Sequence, residues 1–213
     1  MYDILIKKKL GSKVIFTSFL DRPYFVKQSL VMEADHFSIS KTSLNTLIQR
    51  SIKDKTIIPL KRNYYVTGKF FMENRGNTEY RFFLANLLLG PSYISRESAL
   101  QCYGLLTESV ANYYTSTSIK TRRKFRNRLG IFEYFSIKKD LFNGYNIEKF
   151  KLGEYEYTYA IAEPSKAIYD YLYYRTKKRK ISKSNLFLML DEYRINYTEL
   201  SNAELNRLIR LFK

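Results

Sequence analysis

Thr42, Thr46, Gln49 and Lys53 recur at the spacing that gathers side chains on one face of an α-helix, and Asn45 and Arg50 flank them. These are short hydrogen-bonding side chains and cations, with no acid before Asp54. Such a set suits the base edges and phosphates of a DNA major groove. Half a turn away, Leu44, Leu47, Ile48 and Ile52 form an apolar stripe that would turn the polar face outward. The bland alternative is a solvated face on an ordinary amphipathic helix. A second cationic set comprises Lys120, Arg122, Arg123, Lys124, Arg126 and Arg128, six basic side chains within residues 120–128. It reads as an exposed loop. Its charges either meet phosphate or an acidic partner, or are only solvated and without a role in folding.

Catalysis finds little support. The chain has one histidine, His36, and one cysteine, Cys102, which excludes the usual His/Cys zinc sites and any internal disulfide. Glu154, Glu156, Glu163 and Asp170 show no spacing that a metal-dependent nuclease would need. No phosphate-binding glycine loop, zinc-protease motif or nucleophile elbow occurs. The expectation is a chain without catalytic residues, metal or cofactor.

The elements that would position these residues follow from periodicity. Val14, Ile15 and Phe16 are β-prone, and Pro23 suits the first turn of a helix continuing through Leu30. Ser40 is an N-cap for the helix over residues 41–54. Next comes a hairpin: residues 57–60, the polar turn Lys61-Arg62-Asn63, then residues 64–66. Helices followed by a hairpin with a basic tip describe a winged helix-turn-helix, in which Lys61 and Arg62 touch the backbone beside the groove. A polar linker is expected over residues 72–78. Beyond it, helices are expected over 80–89 and 92–103 and strands over 113–119, 131–137, 149–152 and 155–162. Three further helices are expected over 164–175, 185–193 and 202–211. The last opens with a capping box, Ser201 and Glu204. Tyr155, Tyr157 and Tyr159 alternate at period two, as on a packed sheet face. The fold class is therefore α+β: a winged helix-turn-helix domain over residues 1–76, then a mixed α/β domain over 79–213.

Charge points the same way. Among 213 residues, 37 Lys and Arg stand against 20 Asp and Glu, a net charge of +17 that favours polyanions. Residues 1–80 hold 14 basic and 7 acidic side chains, and residues 81–213 hold 23 and 13, so both halves share the excess. No apolar run of signal-peptide length follows Lys7, Lys8 and Lys9, and no stretch approaches a membrane span. A cytoplasmic protein without a membrane partner is expected.

The segment Pro91-Ser92-Tyr93-Ile94-Ser95-Arg96-Glu97-Ser98-Ala99-Leu100, followed by Tyr103-Gly104-Leu105, resembles the AbiEi antitoxin family of type IV toxin–antitoxin (abortive infection) systems. So do Thr115-Ser116-Thr117, Thr121-Arg122-Arg123 and Gly130-Ile131-Phe132-Glu133-Tyr134. The resemblance implies a repressor that binds inverted repeats in its own promoter. It also implies a C-terminal antitoxin domain that neutralises a nucleotidyltransferase-like toxin in phage defence, directly or through a shared target. Two other readings stand beside it. One is a plain winged-helix regulator whose second half senses a ligand or dimerises, and the other is a nuclease.

Overall fold

Two stretches of aromatic and β-branched residues pair into sheets, and amphipathic helices cover them. The computed structural model describes residues 14–106, 108, 111–177 and 179–213. Lys7, Lys8, Lys9 and Lys178 lie outside these residues. The chain divides into two compact units. The first runs to Tyr80 and takes in Asn127–Leu129, and the second comprises Arg81–Arg126 and Gly130–Lys213. Together they give an α+β protein with two sheets. No helix among the described residues is long and apolar enough to cross a membrane.

In the first unit, strand β1 (Phe25–Val26) precedes helix α1 (Lys27–His36) and helix α2 (Lys41–Lys53). Strands β2 (Ile57–Lys61) and β3 (Tyr64–Thr67) form an antiparallel hairpin, and β1 completes a sheet of order β1-β3-β2. Helix α3 (Gly68–Glu73) follows, capped by Thr67, whose Oγ1 accepts the Phe70 N–H. One core joins Phe19, Phe25, Leu30, Leu44, Ile48 and Ile57.

Two expectations fail here. Pro23 does not open a helix. Phe25 and Val26 instead pair with Tyr65 and Tyr64, so sheet pairing of an aromatic and a β-branched residue wins and α1 starts at Lys27. Val14, Ile15 and Phe16 form no strand. They enter a helical turn whose Phe16 carbonyl accepts the Phe19 N–H, and Ile15 and Phe16 join the core. The segment read as a linker holds the end of α3, a turn over residues 74–77 and the first residue of helix α4 (Thr78–Leu88). Asn77 Oδ1 caps α4 by accepting the Tyr80 N–H.

The second unit is built on a six-stranded mixed sheet of order β6-β7-β5-β4-β9-β8. The strands are β4 (Ser92–Ile94), β5 (Tyr113–Ser118), β6 (Arg123–Asn127), β7 (Gly130–Ser136), β8 (Tyr145–Leu152) and β9 (Tyr155–Ala162). β5 runs parallel to β7 and β4 parallel to β9, while β4–β5 and β8–β9 are antiparallel. Helices α5 (Glu97–Cys102), α6 (Pro164–Tyr173), α7 (Lys183–Glu192) and α8 (Asn202–Leu211) complete it. On β9, Tyr157 and Tyr159 pack on Phe83 and Phe82, as expected of a packed face, whereas Tyr155 is exposed.

Two further expectations fail in this unit. Residues 92–103 are not one helix. Tyr93 and Ile94 pair with Thr117 and Ser116 on β5, and the chain turns at Arg96 before α5 begins. Residues 120–128 are not a loop. Arg123–Asn127 is an edge strand, and its Phe125 packs edge-on against the buried Tyr134. The basic side chains hid that alternating anchor.

The capping box forms by half. Ser201 Oγ accepts the Glu204 N–H at 3.2 Å, but the Glu204 carboxylate accepts the Ser165 N–H at 2.8 Å. It thereby caps α6, where Pro164 at the first position has no N–H to offer. Arg207 pairs with both Glu163 and Glu204.

Candidate nucleic-acid interface

Helix α2 begins at Ser40, whose Oγ accepts the Ser43 N–H at 3.2 Å. Leu44 and Ile48 are buried in the core of the first unit, and Leu47 and Ile52 pack against it. That anchoring leaves Thr42, Asn45, Thr46, Gln49, Arg50 and Lys53 exposed on the other side. Thr46 Oγ1 donates to the Thr42 carbonyl at 3.1 Å, which fixes its rotamer while its oxygen stays able to accept. Arg50 and Lys53 form no ion pair with any described residue. Asp54 turns away to accept the Thr56 N–H at 2.9 Å, and the hydrogen bonds from Thr56 hold its carboxyl below the ordinary range.

At the hairpin, Arg62 is exposed in the turn beside Asn63, whose φ of +64° is the left-handed conformation asparagine tolerates. Lys61 differs from the expectation of a free tip. It closes strand β2, and its Nζ lies 4.2 Å from the Tyr64 ring centroid.

The second cationic set splits into two. Arg122 and Lys124 converge on Glu133, whose side chain is only 4% exposed, at 2.5 and 2.6 Å. Tyr113 donates its hydroxyl to the same carboxylate at 2.6 Å. Burial alone would raise the Glu133 carboxyl. Hydrogen bonds from Lys124, Tyr113 and Arg122, with the Arg122 charge, instead bring it down to about 2. These two cations therefore have a role in folding, contrary to the expectation of a solvated loop. Lys120, Arg123, Arg126 and Arg128 are exposed and form no ion pair with any described residue.

The segment beginning at Pro91 builds a buried polar centre rather than a surface. Asp170 on α6 receives Lys166 Nζ at 2.5 Å, the Tyr93 hydroxyl at 2.9 Å and the Ser95 hydroxyl at 2.8 Å. Arg96 donates to the Asp170 carbonyl at 2.9 Å, and its guanidinium lies 3.7 Å from the Phe135 centroid. Arg96 has a φ of +58°, a strained conformation held by those contacts. Ser98 and Thr115 exchange hydrogen bonds, Ser98 N–H to Thr115 Oγ1 and Thr115 N–H to Ser98 Oγ. At Gly130, a Cβ would lie 2.4 Å from the Asn112 carbonyl oxygen, so only glycine fits.

Sequence reasoning missed Glu133, Tyr113, Arg96 and Lys166. The partners of Glu133, Tyr113 and Arg96 stand on other strands and helices, whereas Lys166 meets Asp170 four positions on, a spacing that an exposed helical pair would share. Of the acids weighed as metal ligands, Asp170 is saturated by its partners, Glu163 pairs with Arg207 and Glu156 pairs with Lys149. No group of three His, Cys, Asp or Glu side chains gathers as a metal would need among the described residues. Compared with known proteins, the chain matches no family model and no curated relative.

Proposed function

We propose that this chain is an autoregulatory antitoxin. Its first unit acts as a winged helix that binds inverted repeats in its own promoter, and its second neutralises a nucleotidyltransferase-like toxin, in the cytoplasm. The observation that carries the DNA reading is the face of α2. Six side chains able to meet bases and phosphates are exposed together, on a helix whose other side is locked in a core and which is followed by a hairpin bearing Arg62. The net charge of +17 adds the sequence-independent attraction such binding needs. The antitoxin half rests on the resemblance from Pro91 to Tyr134, and the cations left free on and beside β6 suit an acidic toxin face or RNA phosphates.

Gln49→Ala tests the DNA reading. It should lower affinity for the promoter repeat by about 1–3 kcal/mol and relax preference at one base pair, with little effect on shuffled duplex. Equal weakening of both duplexes in a fluorescence anisotropy titration means that α2 does not read bases. Co-expression with the adjacent gene tests the second unit. Growth rescue should fall when Lys120, Arg123 and Arg126 are changed together to Ser. Full rescue at equal protein level removes them from the neutralising surface.

A further inference from the structure

Within the first unit, a cleft of about 510 Å³ opens between the starts of α1 and α2 and the turn of the β2–β3 hairpin. That is the size of a small-molecule site. Its apolar lining includes Val26 and Val31, both half-buried, and Tyr64 borders it. The Tyr64 ring is held by stacking on Tyr24 at 5.9 Å and by Lys61. Two cations, Lys27 and Lys41, line the cleft, and among the described residues no carboxylate does. The amides of Asn45 and Asn63 add groups that both donate and accept. The Lys27 N–H donates to the Asn63 carbonyl at 2.8 Å, so α1 and the hairpin turn are already joined there.

Each part of this lining asks something of an occupant. Two ammonium groups without an acid call for an anion, and a phosphate monoester carries about −1.5 to −2 charges near neutral pH. An apolar lining calls for an organic body, and side-chain amides that both donate and accept suit the edge of a heterocyclic base. A duplex phosphate meets the cations but offers no body to cover Val26 and Val31. We infer that the cleft binds a free nucleoside monophosphate and that its occupation excludes duplex DNA from α2. Asn45 belongs both to the cleft and to the exposed face of α2, so one occupant displaces the other. The exclusion rests on the reading of α2 as a DNA face, whereas nucleotide binding does not.

The full chain titrated with AMP and GMP in a calorimeter provides the test, with adenosine and inorganic phosphate as controls. One monophosphate should saturate at one per chain, and should bind at least about tenfold more tightly than either control. Lys27→Ala should raise Kd about tenfold. Val31→Phe should abolish binding by filling the cleft. Gln28→Glu, an exposed change on the same lining, should weaken binding without touching the core. In a second arm, the monophosphate should release a labelled promoter duplex in step with its occupancy. Lack of saturation by any monophosphate, or binding indifferent to all three substitutions, overturns the site. Binding of nucleotide without any binding of duplex keeps the site and overturns the reading of α2 instead. Simultaneous binding of both overturns the exclusion.

Discussion

Arg122→Ser combined with Lys124→Ser should destabilise the second unit by about 2–3 kcal/mol. Arg123→Ser combined with Arg126→Ser should cost under about 0.5 kcal/mol per site. The difference lies in Glu133. Its carboxyl moves from an ordinary 4.5 to about 2 on folding, which corresponds to roughly 3 kcal/mol. Tyr113 retains its hydrogen bond in the double variant, so somewhat less than that is lost. Loss of the two side chains themselves adds little to the cost, because Arg122 and Lys124 are 64% and 41% exposed. The pH dependence gives a sharper signature. In the native chain the folded pKa is depressed, so this stabilisation is full above about 4.5 and is lost as pH falls through about 2. Without its cations the carboxyl returns most of the way to its ordinary range, so the double variant has little of this stabilisation left to lose in acid. Urea unfolding followed by circular dichroism at pH 6, 4 and 3 should therefore show the gap between native and variant chains narrowing with acid. A gap that stays constant, or equal losses for the two pairs of substitutions, refutes the clamp.

The buried centre should be less forgiving. Asp170→Asn leaves Lys166 in the core without its counter-charge and should cost about 3–5 kcal/mol, whereas Lys166→Met with Asp170→Leu should recover much of that. Thermal denaturation with no recovery in the double variant counts against the ion pair as the cause. On the first unit, Lys53→Ala should weaken specific and random duplexes alike and reduce the salt slope by about one. A changed base preference at an unchanged slope would assign Lys53 to base reading instead.

Legibility in the sequence followed the range of the interactions. Helix α2, its Ser40 cap and the hairpin after it were readable because periodicity, cap and turn residues all lie within a few positions of one another. Helix α8 was readable from Ser201 and its apolar stripe for the same reason. Residues 92–103 were misread because Tyr93 and Ile94 gain their partners from β5, some twenty positions away. The basic segment was misread because charge obscured Phe125, and because Glu133 looks like any surface acid until strand pairing buries it. The candidate DNA face is thus local information, whereas the clamp at Glu133 and the centre at Asp170 are products of topology.

The carboxylate of Glu204 makes the last helix a clasp. It caps α6, Arg207 fastens the same end through Glu163, and Phe212 packs on Tyr169 at 5.0 Å. α6 is also the helix that carries Lys166 and Asp170. Removing residues 202–213 would bare the Ser165 N–H and the apolar side of α6, at the helix on which the interior of the second unit is hung. Versions of this chain shortened before residue 202 would then behave as loosened proteins rather than trimmed ones. Loss of the proposed neutralising activity in such a version would report a sprung latch, not a missing contact surface.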